Sequence, residues 1–424
     1  MPELVIKGAT VVDATGARRA DVVVDEGRIV AVGPDLSGAE VLDASGCVLA
    51  PGLVDLHAHL RQPGHEEAES VETGSRAAAL GGFSAVVAMP NTQPAIDSAA
   101  MVHEVIDLGR SALCEVHVAG AITAGREGEK LAPLAEMADL GVRLFTDDGN
   151  GVQDARVMRR AMEYAADLGL TLAQHCEDES MAQGGVMHEG EWSSRLGVPG
   201  QPAEAEELMV LRDLALARLT GARIHFQHLS TQRSVALVRE ARAAGLAVTA
   251  EATTHHFTLT HADCAGYDPV YRVNPPLRTL QDVAAVKAGL ADGALDAIAT
   301  DHAPHAPHTK ELPFDQAPPG MLGLETALAL ALTELDLPIE QLLALLSWQP
   351  AAIAGLAEEH GGPLVPGRPA HLCVIDPSHE WVVDAAALAS RARNTPYAGR
   401  RLRGKVRHTL KAGEVVVRDG EAQR

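Results

Sequence analysis

Six side chains able to hold a metal ion stand at the ends of short apolar runs, far apart along the chain. His57 and His59 close the run that begins Leu53-Val54-Asp55-Leu56. His175 follows Leu170-Thr171-Leu172-Ala173-Gln174, and His228 follows Ile224-His225-Phe226-Gln227. Asp301 follows Ala297-Ile298-Ala299-Thr300, and Asp148 lies just past Val142 to Phe145. Alternation along a strand puts His57 and His59 on one face, about 6–7 Å apart along the backbone, so both rings can reach one cation. Alone, that pair is equally well read as two solvated or hydrogen-bonded histidines. Four histidines and two carboxylates gathered together would be costly to desolvate without a cation. Imidazole nitrogen and carboxylate oxygen suit zinc, with manganese or cobalt as substitutes. Six donors exceed what one tetrahedral zinc takes and fit two ions sharing a bridge, an arrangement that activates water and polarises a carbonyl.

Residues so scattered need a scaffold that collects strand ends. Between residues 51 and 362, apolar strand candidates alternate with Ala- and Leu-rich helical segments, the rhythm of a parallel α/β sheet. Eight strand candidates end near His57, Asn91, Ala121, Asp147, His175, His228, Thr254 and Asp301. Helical periodicity is clear over 156–168 and 231–244. Eight such units predict a (β/α)₈ TIM-type barrel, whose active sites lie at the C-terminal ends of the strands. The two chain ends read differently. Residues 1–50 hold short strand candidates (4–6, 10–12, 20–24, 29–32, 40–43) separated by turns such as Ala14-Thr15-Gly16. Residues 363–424 repeat the pattern at 371–375, 405–410 and 414–417. Neither end can close a β core alone, so together they are expected to form one small β-sandwich.

Composition narrows the function. Formal net charge is −22, from 57 acidic against 35 basic side chains, which argues against a nucleic-acid binder. The five cysteines (47, 114, 176, 264, 373) form no CxxC pair, and their odd number fits reduced thiols. No apolar run reaches the ~20 residues needed to cross a bilayer. The Met1-Pro2 start lacks the basic and apolar stretches of a secretory signal, so a cytoplasmic location is expected.

The motifs then name a family. His57-Ala58-His59-Leu60-Arg61-Gln62-Pro63-Gly64 resembles the HxHxRxPG motif of the dihydroorotases of the amidohydrolase superfamily. Met89-Pro90-Asn91-Thr92, Thr146-Asp147-Asp148-Gly149, His175-Cys176-Glu177-Asp178, the segment from Arg272 to Arg278, and Thr300-Asp301-His302-Ala303-Pro304-His305 resemble further motifs of that family, in its order. The resemblance runs essentially from end to end and points to the bacterial class I type. It implies two zinc ions per subunit: His57, His59 and Asp301 on one, His175 and His228 on the other, and Asp148 between them. Many relatives bridge with a carboxylated lysine, which this strand does not offer; Asp147 is the less favoured bridge.

The same resemblance implies the reaction and its substrate contacts. The reaction is the reversible ring opening of L-dihydroorotate to N-carbamoyl-L-aspartate in pyrimidine biosynthesis. Activated water attacks the ring carbonyl, and Asp301 carries the proton to the leaving nitrogen. Arg61 lies two residues beyond His59 and can grip a carboxylate with a bidentate fork. His59, Asn91, Asn274 and His305 are expected at the substrate, as is backbone at Pro319 and Gly320, although this chain has Pro318-Pro319-Gly320 where relatives have Pro-Phe-Gly. Residues 305–323 are expected to form a loop over the pocket. Histidines 255, 256, 302 and 308 receive no role. A homodimer and a complex with aspartate transcarbamoylase are the partners the family suggests. Two other readings stand beside this one: a hydantoinase, dihydropyrimidinase or allantoinase, which typically lack an Arg61 counterpart and bridge with lysine, and a metal-free scaffold for the transcarbamoylase.

Overall fold

In the computed structural model, which describes residues 3–424, the middle of the chain closes into a barrel. The Met1-Pro2 start lies outside the described residues. Eight parallel strands make the barrel: β1 (Leu53–Ala58), β2 (Phe83–Ala88), β3 (Glu115–Val118), β4 (Leu144–Phe145), β5 (Thr171–Gln174), β6 (Arg223–Phe226), β7 (Val248–Thr253) and β8 (Ala297–Ala299). β1 to β3 form one parallel ladder and β4 to β8 another. Two bridges join them into a ring, Gly120 to Phe145 between β3 and β4, and Ala58 to His302 between β8 and β1. At the second seam the His59 N–H donates to the His302 carbonyl at 2.9 Å. The eight strands expected from sequence are therefore all present, in a TIM-type barrel.

The strands form here because their apolar runs can be buried on both faces. All six residues of β2 are buried. Inside the ring, Leu56 of β1, Val87 of β2, Leu144 of β4, Ala173 of β5 and Ala297 of β8 pack together with Ala119, one residue past β3. Outside it, amphipathic helices cover the strands. Ala155–Asp167 is capped by Asp154, which accepts from the Arg156 and Val157 N–H groups, and Gln232–Ala243 is capped by Thr231, which accepts from Ser234. Both match the expected helices within one residue.

The two chain ends pair into two β-sheets with a common core. One sheet runs in the order 28–33, 21–25, 4–7, 40–43; the other runs 421–422, 414–418, 401–411, 372–382, 48–51, 10–13, 16–19. Val48–Pro51 lies between strands from the two ends, antiparallel to Leu372–Ile375 and parallel to Thr10–Val11. Ile6, Val11, Val22, Leu49, Leu372 and Leu410 share the core between the sheets. Gly16–Arg19 is an edge strand outside the strand candidates; the sequence marks only the turn at Ala14-Thr15-Gly16 there. Its polar Arg18 and Arg19 carry no alternating apolar face, so nothing local marks it. All five cysteines are free and buried. No helix among the described residues is long and apolar enough to cross a membrane.

Candidate metal centre

The C-terminal ends of the strands bring the six expected donors to one rim. His57 is the penultimate residue of β1 and His59 comes one residue after its end; His175 comes one residue after β5, and His228 and Asp301 two residues after β6 and β8. Asp148 comes three residues after β4. None of the six is more than 6% exposed. Three non-glycine residues here have left-handed backbone: Arg61 (φ 61°), His228 (φ 33°) and Asp301 (φ 44°). Such conformations cost about 1–3 kcal/mol each and persist where a site demands them.

Asp148 sits among the imidazoles. Its Oδ1 lies 3.3 Å from His57 Nε2, 3.7 Å from His175 Nδ1 and 3.8 Å from His228 Nε2, while Oδ2 lies 3.6 Å from His59 Nε2. Asp301 Oδ1 approaches His59 Nε2 at 3.0 Å and His57 Nε2 at 3.5 Å. Two triads, His57-His59-Asp301 and His57-Asp148-His228, each offer ligand atoms within 4.8 Å of one another. Asp147 is turned away: its carboxylate accepts the Ile122 and Thr123 N–H groups at 2.8 and 3.0 Å, and the Thr123 hydroxyl as well.

The outer ring nitrogens fix which way the histidines face. His57 Nδ1–H donates to Glu251 Oε1 at 3.0 Å, and His59 Nδ1–H donates to the Asn91 side-chain oxygen at 2.9 Å. In those tautomers both Nε2 lone pairs face the two aspartates. His57 Nε2 and His228 Nδ1 are buried without a hydrogen-bond partner, and His175 Nδ1 lies only 2.9 Å from His228 Nε2. Bare nitrogens facing each other and two carboxylates are what a cation would satisfy, so the donor set fits a metal. Its electrostatics agree. Burial alone would depress His57, yet Asp148 and Asp301 hold its pKa well above the usual value. Against the same burial, His57, His175 and His228 hold Asp148 well below the carboxylate range.

Glu251 was not found from sequence. It lies within β7, receives His57 on one oxygen and His225 Nε2 on the other at 3.1 Å, and is held at a pKa of about 2 despite burial, which alone would raise it. A carboxylate inside the otherwise apolar run Val248-Thr249-Ala250-Glu251-Ala252 was the available signal. Asp55, equally hidden, accepts from the Thr300 N–H at 3.0 Å and ties β1 to β8 beneath the site.

A cavity of about 180 Å³ opens over the donors and is lined by all the expected substrate-side residues, Arg61, Asn91, Asn274, His305, Pro319 and Gly320. It is smaller than the ~300–1,000 Å³ of pockets for drug-sized ligands, and suits a single small ring. Burial lowers the Arg61 pKa to about 10, so the side chain remains cationic; its Nε donates to the Pro304 carbonyl at 3.1 Å. Asn274 Oδ1 is buried and unpartnered. His305 Nε2–H donates to the Pro319 carbonyl at 2.8 Å, and the Gly320 N–H donates to the Arg272 carbonyl at 2.8 Å. Gly320 has φ 140°, and a Cβ there would fall 2.7 Å from Ala303 Cβ and 2.8 Å from His305 Nε2, so the wall needs glycine. The 305–323 segment contains a short helix, Pro307–Lys310, and Lys310 Nζ pins it by donating to the Pro269 and Pro318 carbonyls at 3.0 and 2.7 Å. His256 and His302 are buried and hydrogen-bonded, to Thr253 with Pro275 and to Glu69 respectively.

Comparison with known proteins gives the site its setting. The family model described as dihydro-orotase-like matches residues 46–234. The chain is 48% identical to a dihydroorotase of Pelotomaculum thermopropionicum, over 98% of this chain and 99% of that protein. It is 47% identical to a dihydroorotase of Mycobacterium tuberculosis, over 95% and 96%. Among solved structures, the L-hydantoinase (dihydropyrimidinase) from Arthrobacter aurescens aligns with a TM-score of 0.90 at 25% identity, covering 100% of this chain and 98% of that one. With nearly half its residues shared along almost the whole length of proteins so named, and its donors gathered on one rim of the same barrel, the chain belongs to the dihydroorotase family.

Proposed function

We propose that this chain is a zinc-dependent dihydroorotase, interconverting L-dihydroorotate and N-carbamoyl-L-aspartate in pyrimidine biosynthesis. The observation that carries the reading is Arg61: a buried cation on the wall of a small cavity whose floor is the histidine-aspartate cluster. His57, His59 and Asp301 would hold one zinc, His175 and His228 a second, and Asp148 both. Metal held by these residues would supply Lewis acidity toward the ring carbonyl and a water of lowered pKa.

The chain's own residues do the rest. Arg61 receives the substrate carboxylate through its terminal nitrogens, which orients the ring over the donors. Asn274 Oδ1, left without a partner, accepts a ring N–H. Asn91 holds His59 in its productive tautomer and borders the carboxylate, and His305, Pro319 and Gly320 form the opposite wall. Asp301 takes the proton from the attacking water as its oxygen bonds to the ring carbonyl carbon, then delivers that proton to the ring nitrogen as the carbon–nitrogen bond breaks. Its pKa, held below the ordinary carboxylate range by His57 and His59 against the raising effect of burial, keeps it ionised.

The hydantoinase reading has the similarity of fold in its favour, but Arg61 gives the cavity a carboxylate receptor that a hydantoin does not need. A metal-free scaffold would have no use for six intact donors. Protein stripped by a chelator should open L-dihydroorotate only after zinc is restored, and should turn over hydantoin and allantoin far more slowly. Preference for either of those rings, or zinc-independent turnover, would overturn the assignment. The barrel limits at 51 and 362, the cytoplasmic location, a homodimer and an assembly with aspartate transcarbamoylase belong to the same reading; size-exclusion chromatography with and without the transcarbamoylase tests the last two.

A further inference from the structure

A second group of metal-ligating side chains lies at the opposite, N-terminal end of the barrel. Glu115 and His117 alternate onto the same face of β3, the face away from Gly109, which Val116 packs against. His360 arrives from the segment that runs beneath the barrel toward the sandwich. Glu115 Oε2 lies 2.9 Å from His360 Nε2 and 3.6 Å from His117 Nε2, and the three ligand atoms all fall within 4.8 Å of one another. Bonds of about 2.1 Å in a tetrahedral zinc site put neighbouring ligand atoms about 3.4 Å apart, a spacing bracketed by these two distances.

The surroundings prepare these atoms for a cation. His360 Nδ1 is 3.1 Å from the Ser84 hydroxyl, which can accept its proton and leave Nε2 bare. His117 Nε2 is buried and has no hydrogen-bond partner. His371 is a neighbour of different kind: the Ala412 N–H donates to its Nδ1 at 3.3 Å, so its proton sits on Nε2, which faces Glu115 Oε1 at 3.5 Å and orients the carboxylate. Glu115 and His117 also line a cavity of about 460 Å³, through which an ion can reach them.

We propose that Glu115, His117 and His360 bind one zinc-class divalent cation, separate from the centre at the barrel mouth, which fastens β3 to the segment leading into the sandwich. The N-terminal face of this fold serves stability rather than chemistry, so the site is structural. The proposal is independent of the reaction at the other rim.

The test compares metal content. Full-length protein, His117→Ala and Glu115→Gln are stripped with a chelator, dialysed against zinc, freed of loose metal by gel filtration and assayed for zinc by mass spectrometry. Each variant should hold one zinc per chain fewer than the parent while opening dihydroorotate at an unchanged kcat, and zinc should raise the parent's unfolding midpoint more than theirs. Equal zinc content in parent and variants overturns the proposal and leaves a hydrogen-bonded histidine–glutamate cluster in its place. Should His117→Ala fail to fold, His117→Gln with Glu115→Gln gives the same comparison, because both retain the size and polarity of the native side chains.

Discussion

Replacing Arg61 by alanine removes the one lysine or arginine among the described residues that line the cavity, the group proposed to receive the substrate carboxylate. Its Nε is already taken by the Pro304 carbonyl, so the terminal nitrogens are the ones free to form the fork. With its pKa lowered only to about 10, the guanidinium is charged throughout the working range. Two charge-assisted hydrogen bonds at about 1.5–3 kcal/mol each amount to about 3–6 kcal/mol. At about 1.36 kcal/mol per decade, kcat/KM for L-dihydroorotate should fall by about 10²- to 10⁴-fold. The assay is ring opening followed by ultraviolet absorbance, run in parallel on a dihydropyrimidine ring that lacks the carboxylate. Arg61→Ala should lose little on that second ring, whereas Arg61→Lys, which keeps the charge but not the fork, should fall between parent and Ala on dihydroorotate. A loss below tenfold, or an equal loss on both rings with metal content intact, refutes the carboxylate role.

Three further outcomes follow from the same geometry. Asp301→Asn should lower kcat in both directions by at least the 10²- to 10⁴-fold typical of a proton-transfer group; substantial residual turnover with full metal content would remove Asp301 from that role. Glu251→Gln, which weakens the acceptor for His57 Nδ1–H, should cut zinc affinity about 10- to 100-fold in a chelator competition, and an unchanged affinity would show that Glu251 serves only packing. The metal-free protein should have a bell-shaped stability profile. His175, whose partners Asp148 and Glu177 raise it to about 9 against the lowering effect of burial, contributes fully below the unfolded value of about 6.5 and loses that contribution as pH rises through 9. Glu251, lowered to about 2, contributes above its unfolded value of about 4.3 and loses that as pH falls toward 2. Zinc should reverse the alkaline decline, since it needs neutral imidazole; thermal melts from about pH 2 to about pH 10, with and without zinc, check both limbs.

What sequence could reveal here depended on where the information resides. The strands were legible because a doubly buried parallel strand must be a continuous apolar run, and a polar residue ending such a run stands out; His57, His175, His228 and Asp301 all declared themselves that way. Asp148 was harder, because β4 is only two residues long and joins β3 by a single bridge, so the choice between Asp147 and Asp148 rested on likeness to relatives. Chain closure supplies the reason: Asp147 faces the Ile122 and Thr123 amides just after β3, which no local pattern reveals. Glu251 and the Glu115-His117-His360 group escaped for a related cause. A period of two identifies side chains that share one face of one strand, as it does for Glu115 and His117. It says nothing of the partner that closure brings across the ring, whether His57 meeting Glu251 from β1 or His360 arriving from an irregular segment more than 200 positions later. A carboxylate on the inward face of an apolar barrel strand is nonetheless a reliable flag that such a partner exists, because burying it alone would cost several kcal/mol. By that rule Glu251 marks the presence of His57 across the ring, and Asp55 that of the Thr300 amide and hydroxyl.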